Sequence, residues 1–319
     1  MANIVLSGKC NLRCPYCFAE DFTSEQSDDI TLDSFLRALD FASEEGSIGL
    51  IGGEPLIYKE FDTVMGILNN DPRIYNITVF TNGINIDKHL DALLSRKTHL
   101  LINLNSPSDI GETRFAHILD NISALCERGK KKDITLGINI YKEHQDISAF
   151  IDTLSAFSFD RARLSVTIPQ DKSEGAIAYF ERMKATLLDI YIQLRDIGVA
   201  PCYDCNVIPH CVFTEEELEL IKTVPYTSSR ERELLLGRCA VCSPIIDIYP
   251  DLTATRCFGC YDDVKVPIGE FKSIGDLKNH FFMEIDSRRV HIKSRPQCAD
   301  CYDYKTFGCY GGCLCYKQL

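Results

Sequence analysis

Cys10, Cys14 and Cys17 stand at C-x3-C-x2-C spacing in the stretch Cys10-Asn11-Leu12-Arg13-Cys14-Pro15-Tyr16-Cys17. The loop follows closely on an apolar run, Ile4 to Leu6, that is able to form a strand. A loop this short converges three thiolates on one point and leaves that point one ligand short of four. Iron–sulfur clusters are held by cysteine thiolates, normally four of them, so three imply a cluster with one iron open to a non-protein ligand. Zinc also takes cysteine ligands, and these residues alone leave a structural zinc site open.

A second constellation lies downstream. The apolar run Ile48 to Ile51 passes directly into Gly52-Gly53-Glu54-Pro55-Leu56. Two glycines after a strand let backbone approach a ligand closely, and Glu54 places a carboxylate at the strand's C-terminal end. Alone, the stretch also reads as a tight turn. Taken together, the two stretches, with the aromatic Tyr16 before the third cysteine, resemble the signature of the radical S-adenosylmethionine (radical SAM) enzymes.

That resemblance implies a 4Fe-4S cluster on Cys10, Cys14 and Cys17, its open iron chelated by the amino and carboxylate groups of S-adenosylmethionine. It implies reductive cleavage of that cofactor to a 5′-deoxyadenosyl radical, which abstracts hydrogen from a substrate. Tyr16, Gly52, Gly53 and Glu54 would position the cofactor, with the Gly-Gly-Glu-Pro stretch along the methionyl amino group. An electron donor such as flavodoxin or ferredoxin is implied as a partner.

The elements that must position these residues alternate. Thr31 is placed to cap a helix with apolar positions Leu32, Phe35, Leu36, Leu39 and Ala42, stopped by Gly46. Strands are expected at 77–80, 100–104, 134–140 and 163–168, with a turn at Thr81-Asn82-Gly83 and helices around 90–94, 115–125 and 147–157. With the first two strands this makes six strands alternating with helices, which predicts an α/β fold with a parallel sheet and functional residues at C-terminal strand ends. The family resemblance implies an open, partial (β/α)6 TIM-like barrel.

Asn103, Asn105 and Ser106 follow the fourth strand, where the family often places hydrogen bonds to the cofactor; polar residues there are also common turn formers. Asn139 and Ile168 are weaker candidates to lie near the adenine. Cys126 reads as a small buried hydrophobe. A long amphipathic helix is expected between Pro169 and Gly198, with Ile177, Phe180, Met183, Leu187, Ile190, Tyr191 and Leu194 near one face. Cys202, Cys205 and Cys211 then fall in an irregular loop with His210, open to a cluster, zinc, active-site or structural role. Thr214 and Glu217 form a capping-box pattern.

The cysteines thicken toward the end: Cys239, Cys242, Cys257, Cys260, Cys298, Cys301, Cys309, Cys313 and Cys315, nine within the last 81 residues. One cluster needs four and two need eight. C-x2-C pairs at 239/242, 257/260 and 298/301 fit zinc as well. The spacing from Cys298 to Cys313, with Gly311-Gly312 before the last cysteine, resembles the SPASM extension of many radical SAM enzymes. That resemblance implies Cys239, Cys242, Cys257 and Cys313 on one auxiliary cluster, and Cys298, Cys301 and Cys309 on another, completed by Cys315 or Cys260. The middle gap is longer than the commonest family spacing, and the family's last cysteine normally lies further downstream.

The boundaries expected are 1–170 for the barrel, 171–235 for bridging helices and a cysteine-containing loop, and 236–319 for the SPASM-like domain. A net charge of −12 disfavours nucleic acid or an anionic membrane as main partner. No apolar run approaches the roughly 20 residues of a membrane span, and no secretion signal is visible, so a cytoplasmic location is expected. Sixteen cysteines in a reducing compartment point to metal rather than disulfides.

Related SPASM enzymes commonly modify peptides or protein side chains by crosslinking, epimerisation or oxidation, which makes peptide maturation the leading expectation. The first strand starts almost at residue 3, so no leader-binding domain is expected before it. Peptide recognition would then fall to the barrel mouth, the 199–235 segment or a separate protein. A small-molecule dehydrogenase or epimerase acting on a sugar or aminoglycoside is the alternative enzyme, and a zinc-stapled binding protein the non-catalytic one. Asp204, Cys205 and Asp303 are candidates for a general base or hydrogen donor only through their place in cysteine-rich loops.

Overall fold

The apolar runs form strands, and helical segments separate the first six. The computed structural model describes residues 1–17, 19, 22–23, 28–168, 174–203, 208–237, 244–260 and 264–317. Among these, the strands in chain order are β1 (Ala2–Ser7), β2 (Ser47–Gly52), β3 (Asn76–Thr81), β4 (Thr98–Asn103), β5 (Ile134–Ile140), β6 (Arg161–Val166), β7 (Ala200–Tyr203), β8 (Ile246–Ile248), β9 (Thr253–Thr255) and β10 (Val266–Pro267). The chain divides into two compact units, Met1–Thr135 with Pro244–Phe282, and Leu136–Ser243 with Met283–Leu319.

In the first unit the strands stand in the order β10-β9-β8-β1-β2-β3-β4. β1 is central, parallel to β2 on one side (Ala2 opposite Ile48) and to β8 on the other (Ala2 opposite Ile246). All six of its residues are buried, the pattern of a strand covered on both faces, where apolar runs replace alternation. The helix Leu32–Ala42 begins as expected, with Thr31 Oγ1 accepting from Ser34 N at 3.1 Å. It ends through a tighter turn, Ser43–Glu45, and Gly46 closes it at φ 64°, where a Cβ would sit 2.1 Å from the Tyr75 ring.

The strands β8 to β10 were not anticipated. β8 and β9 are antiparallel, joined by a turn in which Asp251 Oδ1 accepts from Thr253 N at 2.9 Å and Thr253 Oγ1 at 2.7 Å. Asn3 Nδ2 donates to Asp247 Oδ1 at 2.6 Å, tying β1 to β8 inside the core. Burial holds the Asp247 carboxyl well above the usual range, and the nearby Cys257 adds to it, while Asn3 opposes it.

The second unit carries β5-β6-β7, all parallel. The long helix runs Ala176–Asp196, and the expected face, from Ile177 through Phe180, Met183 and Leu187 to Leu194, is buried. The Tyr191 hydroxyl on this helix bonds the Tyr203 hydroxyl on β7. Thr214 and Glu217 form the expected capping box on the helix Glu215–Ile221. Among the described residues no helix is long and apolar enough to cross a membrane.

Candidate functional site

The cluster loop is rooted where β1 ends. Ser7 Oγ donates to Asp29 Oδ1 at 2.7 Å and accepts from Lys9 N at 3.0 Å, while Lys9 Nζ pairs with Asp29 Oδ2 at 2.9 Å. The end of β2 is zipped against this root: Gly53 N donates to Ser7 O and Glu54 N to Lys9 O, each at 2.9 Å. A Cβ on Gly52 would lie 2.2 Å from Ser7 O, and one on Gly53 would lie 2.2 Å from Lys9 O. Real Cβ atoms do not approach so closely, so both positions require glycine. Close backbone approach is indeed what the pair permits, and the chain's own cysteine loop is what approaches.

Glu54 is buried and bolts β2 to β3. Its Oε1 accepts from Leu56 N at 3.0 Å and Thr81 Oγ1 at 2.7 Å, and its Oε2 accepts from Asn82 N at 2.7 Å. Burial pushes its carboxyl up to about 7, against the lowering effect of Asn82, Thr81 and Leu56. Its oxygens are thus engaged by the protein, and what it fixes is the relative position of the strand ends. Asn82 extends the network: its Nδ2 donates to Asn11 Oδ1 in the cluster loop at 2.7 Å, and its Oδ1 accepts from Ile84 N at 3.1 Å. Asn11 and Asn82 were not anticipated, because Thr81-Asn82-Gly83 reads as a turn. The signal available was its place at a C-terminal strand end.

The three thiols lie within one another's field. Burial is the main cause that raises Cys10, and the charges of Glu54 and Cys17 add to it. Cys14 is pushed up to about 12, first by burial and then by Cys10 and Cys17. Cys17 N donates to Cys14 O at 3.1 Å, closing the turn that presents the last two sulfurs. None of the described cysteines is in a disulfide. These neighbouring thiols, two of them raised in this way, are a soft donor set for an iron–sulfur cluster or zinc, whose charge reverses the balance and holds them as thiolates. The residues fit a cluster with one iron left for an outside ligand.

Asn105, after β4, is brought to this loop. Cys14 Sγ lies 3.6 Å from its Oδ1, and the Tyr16 hydroxyl donates to the same oxygen. Asn103 is the last residue of β4, and its carbonyl accepts from Asn105 Nδ2 at 3.5 Å. Ser106 is instead engaged with Ser108, hydroxyl to hydroxyl at 2.7 Å. Asn139 and Ile168 belong to the second unit, where Asn139 Oδ1 accepts from Arg163 Nη1 at 3.5 Å. Cys126 is half-buried on the helix Glu112–Glu127.

Of the C-terminal cysteines, Cys239 and Cys242 lie outside the described residues, as do Asp204 and Cys205. In the first unit Cys257 and Cys260 share one turn, Cys260 N donating to Cys257 O at 2.9 Å, with their sulfurs within 4.8 Å. In the second unit Cys298, Cys301, Cys309, Cys313 and Cys315 fall within one cysteine-rich segment, with Cys313 Sγ accepting from Cys315 N at 3.5 Å. Asp303 pairs with His210, Oδ2 to Nε2, at 3.3 Å.

Residues 4–154, which contain the loop, the Gly-Gly-Glu turn and Asn105, match the family model described as the radical SAM superfamily. This stretch is a radical SAM domain. Among sequence relatives, a GTP 3′,8-cyclase of Chlorobaculum tepidum is 37% identical over 92 residues, 28% of each chain. One of Clostridium perfringens is 31% identical over 145 residues, 43% of this chain and 44% of that protein. The chain thus spans less than half the length of these relatives.

Solved structures share the fold over nearly the whole chain. SuiB of Streptococcus suis bound to S-adenosylmethionine superposes over 98% of this chain and 72% of its own, with TM-score 0.63 and 18% identity. The enzyme anSMEcpe with bound AdoMet does so over 98% and 88%, with TM-score 0.67 and 15% identity. At such identities the likeness is one of fold, and it bears out the α/β class with a partial TIM-like barrel.

Proposed function

We propose that this protein is a radical SAM oxidoreductase that abstracts hydrogen from a peptide or protein side chain, leading to a crosslink, epimerisation or oxidation. The observation that carries the radical chemistry is the gathering of Cys10, Cys14 and Cys17 at the end of β1, locked to the end of β2 through Gly52, Gly53 and Glu54. When bound there, a 4Fe-4S cluster supplies the electron that cleaves S-adenosylmethionine. The protein's own part is positional. Gly52 and Gly53 let the two motifs meet, Glu54 and Asn82 hold the strand ends, and Asn105 with Tyr16 borders Cys14. C-terminal cysteines would hold auxiliary clusters that anchor substrate or accept an electron from it.

The peptide class is supported by the company this fold keeps over nearly the whole chain: SuiB has been solved bound to its precursor peptide SuiA, and anSMEcpe with the Kp18Cys peptide. A second reading, a nucleotide or other small molecule as substrate, is favoured by the GTP 3′,8-cyclases that resemble part of this chain. The test is 5′-deoxyadenosine release by the anaerobically reconstituted protein given a peptide library, GTP, or an aminoglycoside, with mass spectrometry of each. Release stimulated by peptides, with hydrogen lost from the peptide, supports the proposal. Stimulation by GTP or an aminoglycoside alone overturns the peptide assignment.

A further inference from the structure

The second unit contains a cysteine that the C-terminal spacing does not assign. Cys298 stands in the turn Pro296–Ala299, Cys301 caps the helix Tyr302–Lys305, and Cys309 follows that helix. The Asp303 carbonyl accepts from Gly308 N at 2.8 Å and from Cys309 N at 3.1 Å, which folds Cys309 back along the helix that begins after Cys301. Gly311 N then donates to Cys309 Sγ at 3.3 Å, the kind of backbone contact that stabilises a ligating sulfur.

Cys211 reaches the same place from far upstream, in the turn His210–Val212. The turn is seated on Gly237. His210 N donates to Gly237 O at 3.3 Å, and a Cβ on Gly237 would lie 2.3 Å from that nitrogen and 2.6 Å from Ile208 O. It is pinned on its other side by the His210–Asp303 pair at 3.3 Å, and Asp303 lies between Cys301 and Cys309. Val212 and Phe213 are buried just after Cys211, while Cys211 itself stays exposed at the edge.

Partial desolvation of its thiol is the largest influence raising Cys211, Arg295 opposes it, and the charges of Cys309, Cys298 and Cys301 add to it. Cys309 in turn is raised by burial and by Cys298 and Cys301. The His210–Asp303 pair, with the Asp303 carbonyl holding Cys309 N, thus brings the Cys211 turn to the Cys301–Cys309 segment, with Arg295 there to offset the charge of the thiols.

We propose that Cys211 is the fourth thiolate ligand of an auxiliary iron–sulfur cluster whose other ligands are Cys298, Cys301 and Cys309. This rests on the iron–sulfur reading given under the proposed function and replaces Cys315 or Cys260 as the completing ligand. The spacing of the sulfurs favours a cluster over a single zinc ion. Among the described residues, no three of these four sulfurs lie within 4.8 Å of one another. Four thiolates on one zinc, at about 2.3 Å each, stand about 3.8 Å apart. His210 Nδ1, one residue from Cys211, is buried without a hydrogen-bond partner among the described residues, while its Nε2 pairs with Asp303, which leaves a polar atom for a bound group to meet.

The test uses the full chain, reconstituted anaerobically, with iron and sulfide per chain, electron paramagnetic resonance and Mössbauer spectra as readouts. Cys211→Ala is expected to lose about four irons, or to convert one cluster to a three-iron species with its own resonance signal. Cys126→Ala, on a helix of the other unit, should match the wild type. Cys211→Ser, which keeps side-chain size should the alanine variant fold poorly, is expected to alter one iron site in the Mössbauer spectrum. If Cys309→Ala loses a cluster while both Cys211 variants match the wild type, the cluster exists and Cys211 is not its ligand. If Cys309→Ala also matches the wild type, or the metal is zinc, the auxiliary-cluster reading fails and this inference fails with it.

Discussion

Gly53→Ala places one methyl group where the two motifs of the radical SAM domain touch. Its carbon would lie 2.2 Å from Lys9 O, 2.6 Å from Lys9 C and 3.0 Å from Cys10 Cβ. Non-bonded carbon settles at roughly 3.5 Å from such neighbours, so the Lys9–Cys10 backbone must retreat by about 1 Å. The retreat breaks the Glu54 N to Lys9 O bond, now 2.9 Å. Overpacking costs about 1–3 kcal/mol. The lost bond adds about 1 kcal/mol, for a total of about 2–4 kcal/mol.

The functional effect should be larger, because metal–ligand distances tolerate only about 0.2 Å and Cys10 moves with Lys9. Gly66→Ala is the matched control. Gly66 lies inside the helix Phe61–Asn70 with nothing within 4 Å of an added Cβ, so alanine should stabilise by up to about 1 kcal/mol. Urea midpoints of the metal-free proteins, iron per chain after reconstitution and 5′-deoxyadenosine yield together read out both variants. A Gly53→Ala protein with wild-type midpoint, iron and cofactor cleavage would refute the reasoning.

Two further predictions follow from the strand-end network. Asn82→Ala removes the 2.7 Å bond to Asn11 and the 3.1 Å bond from Ile84 N, so it should cost about 1–3 kcal/mol and weaken S-adenosylmethionine binding; calorimetric titration with unchanged affinity would contradict this. Glu54 titrates near 7 in the folded chain against about 4.5 when exposed. Between these values the native state holds more protons than the unfolded one. The stability Glu54 contributes is therefore fully present below about pH 4.5 and lost as pH rises through 7, by about 3 kcal/mol. Denaturation midpoints of the metal-free wild type against those of Glu54→Gln isolate this component, and a constant difference across that range would count against it.

The first six strands were legible because each is rich in apolar or β-branched residues, near-continuous in β1 and alternating with polar ones in β6, and the motifs because their spacing is tight. The physical reason for Gly52 and Gly53 was legible only in part: the need for close approach was visible, but the partners Ser7 O and Lys9 O come from another strand's end. β7 escaped notice because it is four residues long and contains Pro201, and β10 because it is two residues long and ends on Pro267. β8 and β9 carried a readable hairpin signal, Ile246-Asp247-Ile248 and Thr253-Ala254-Thr255 around Pro250-Asp251-Leu252, overshadowed by the neighbouring cysteines. The His210–Asp303 pair was out of reach altogether, since only folding brings those two loops together.

The central claim is that Cys10, Cys14 and Cys17 hold a cluster that cleaves S-adenosylmethionine. Its most direct test is one sample of reconstituted protein, assayed under anaerobic reducing conditions for iron, sulfide and 5′-deoxyadenosine, beside Cys14→Ala. The wild type should hold iron with matching sulfide and release 5′-deoxyadenosine, whereas Cys14→Ala should hold about four fewer irons and release none. Zinc without iron in the wild type, or cofactor cleavage by Cys14→Ala, would contradict it.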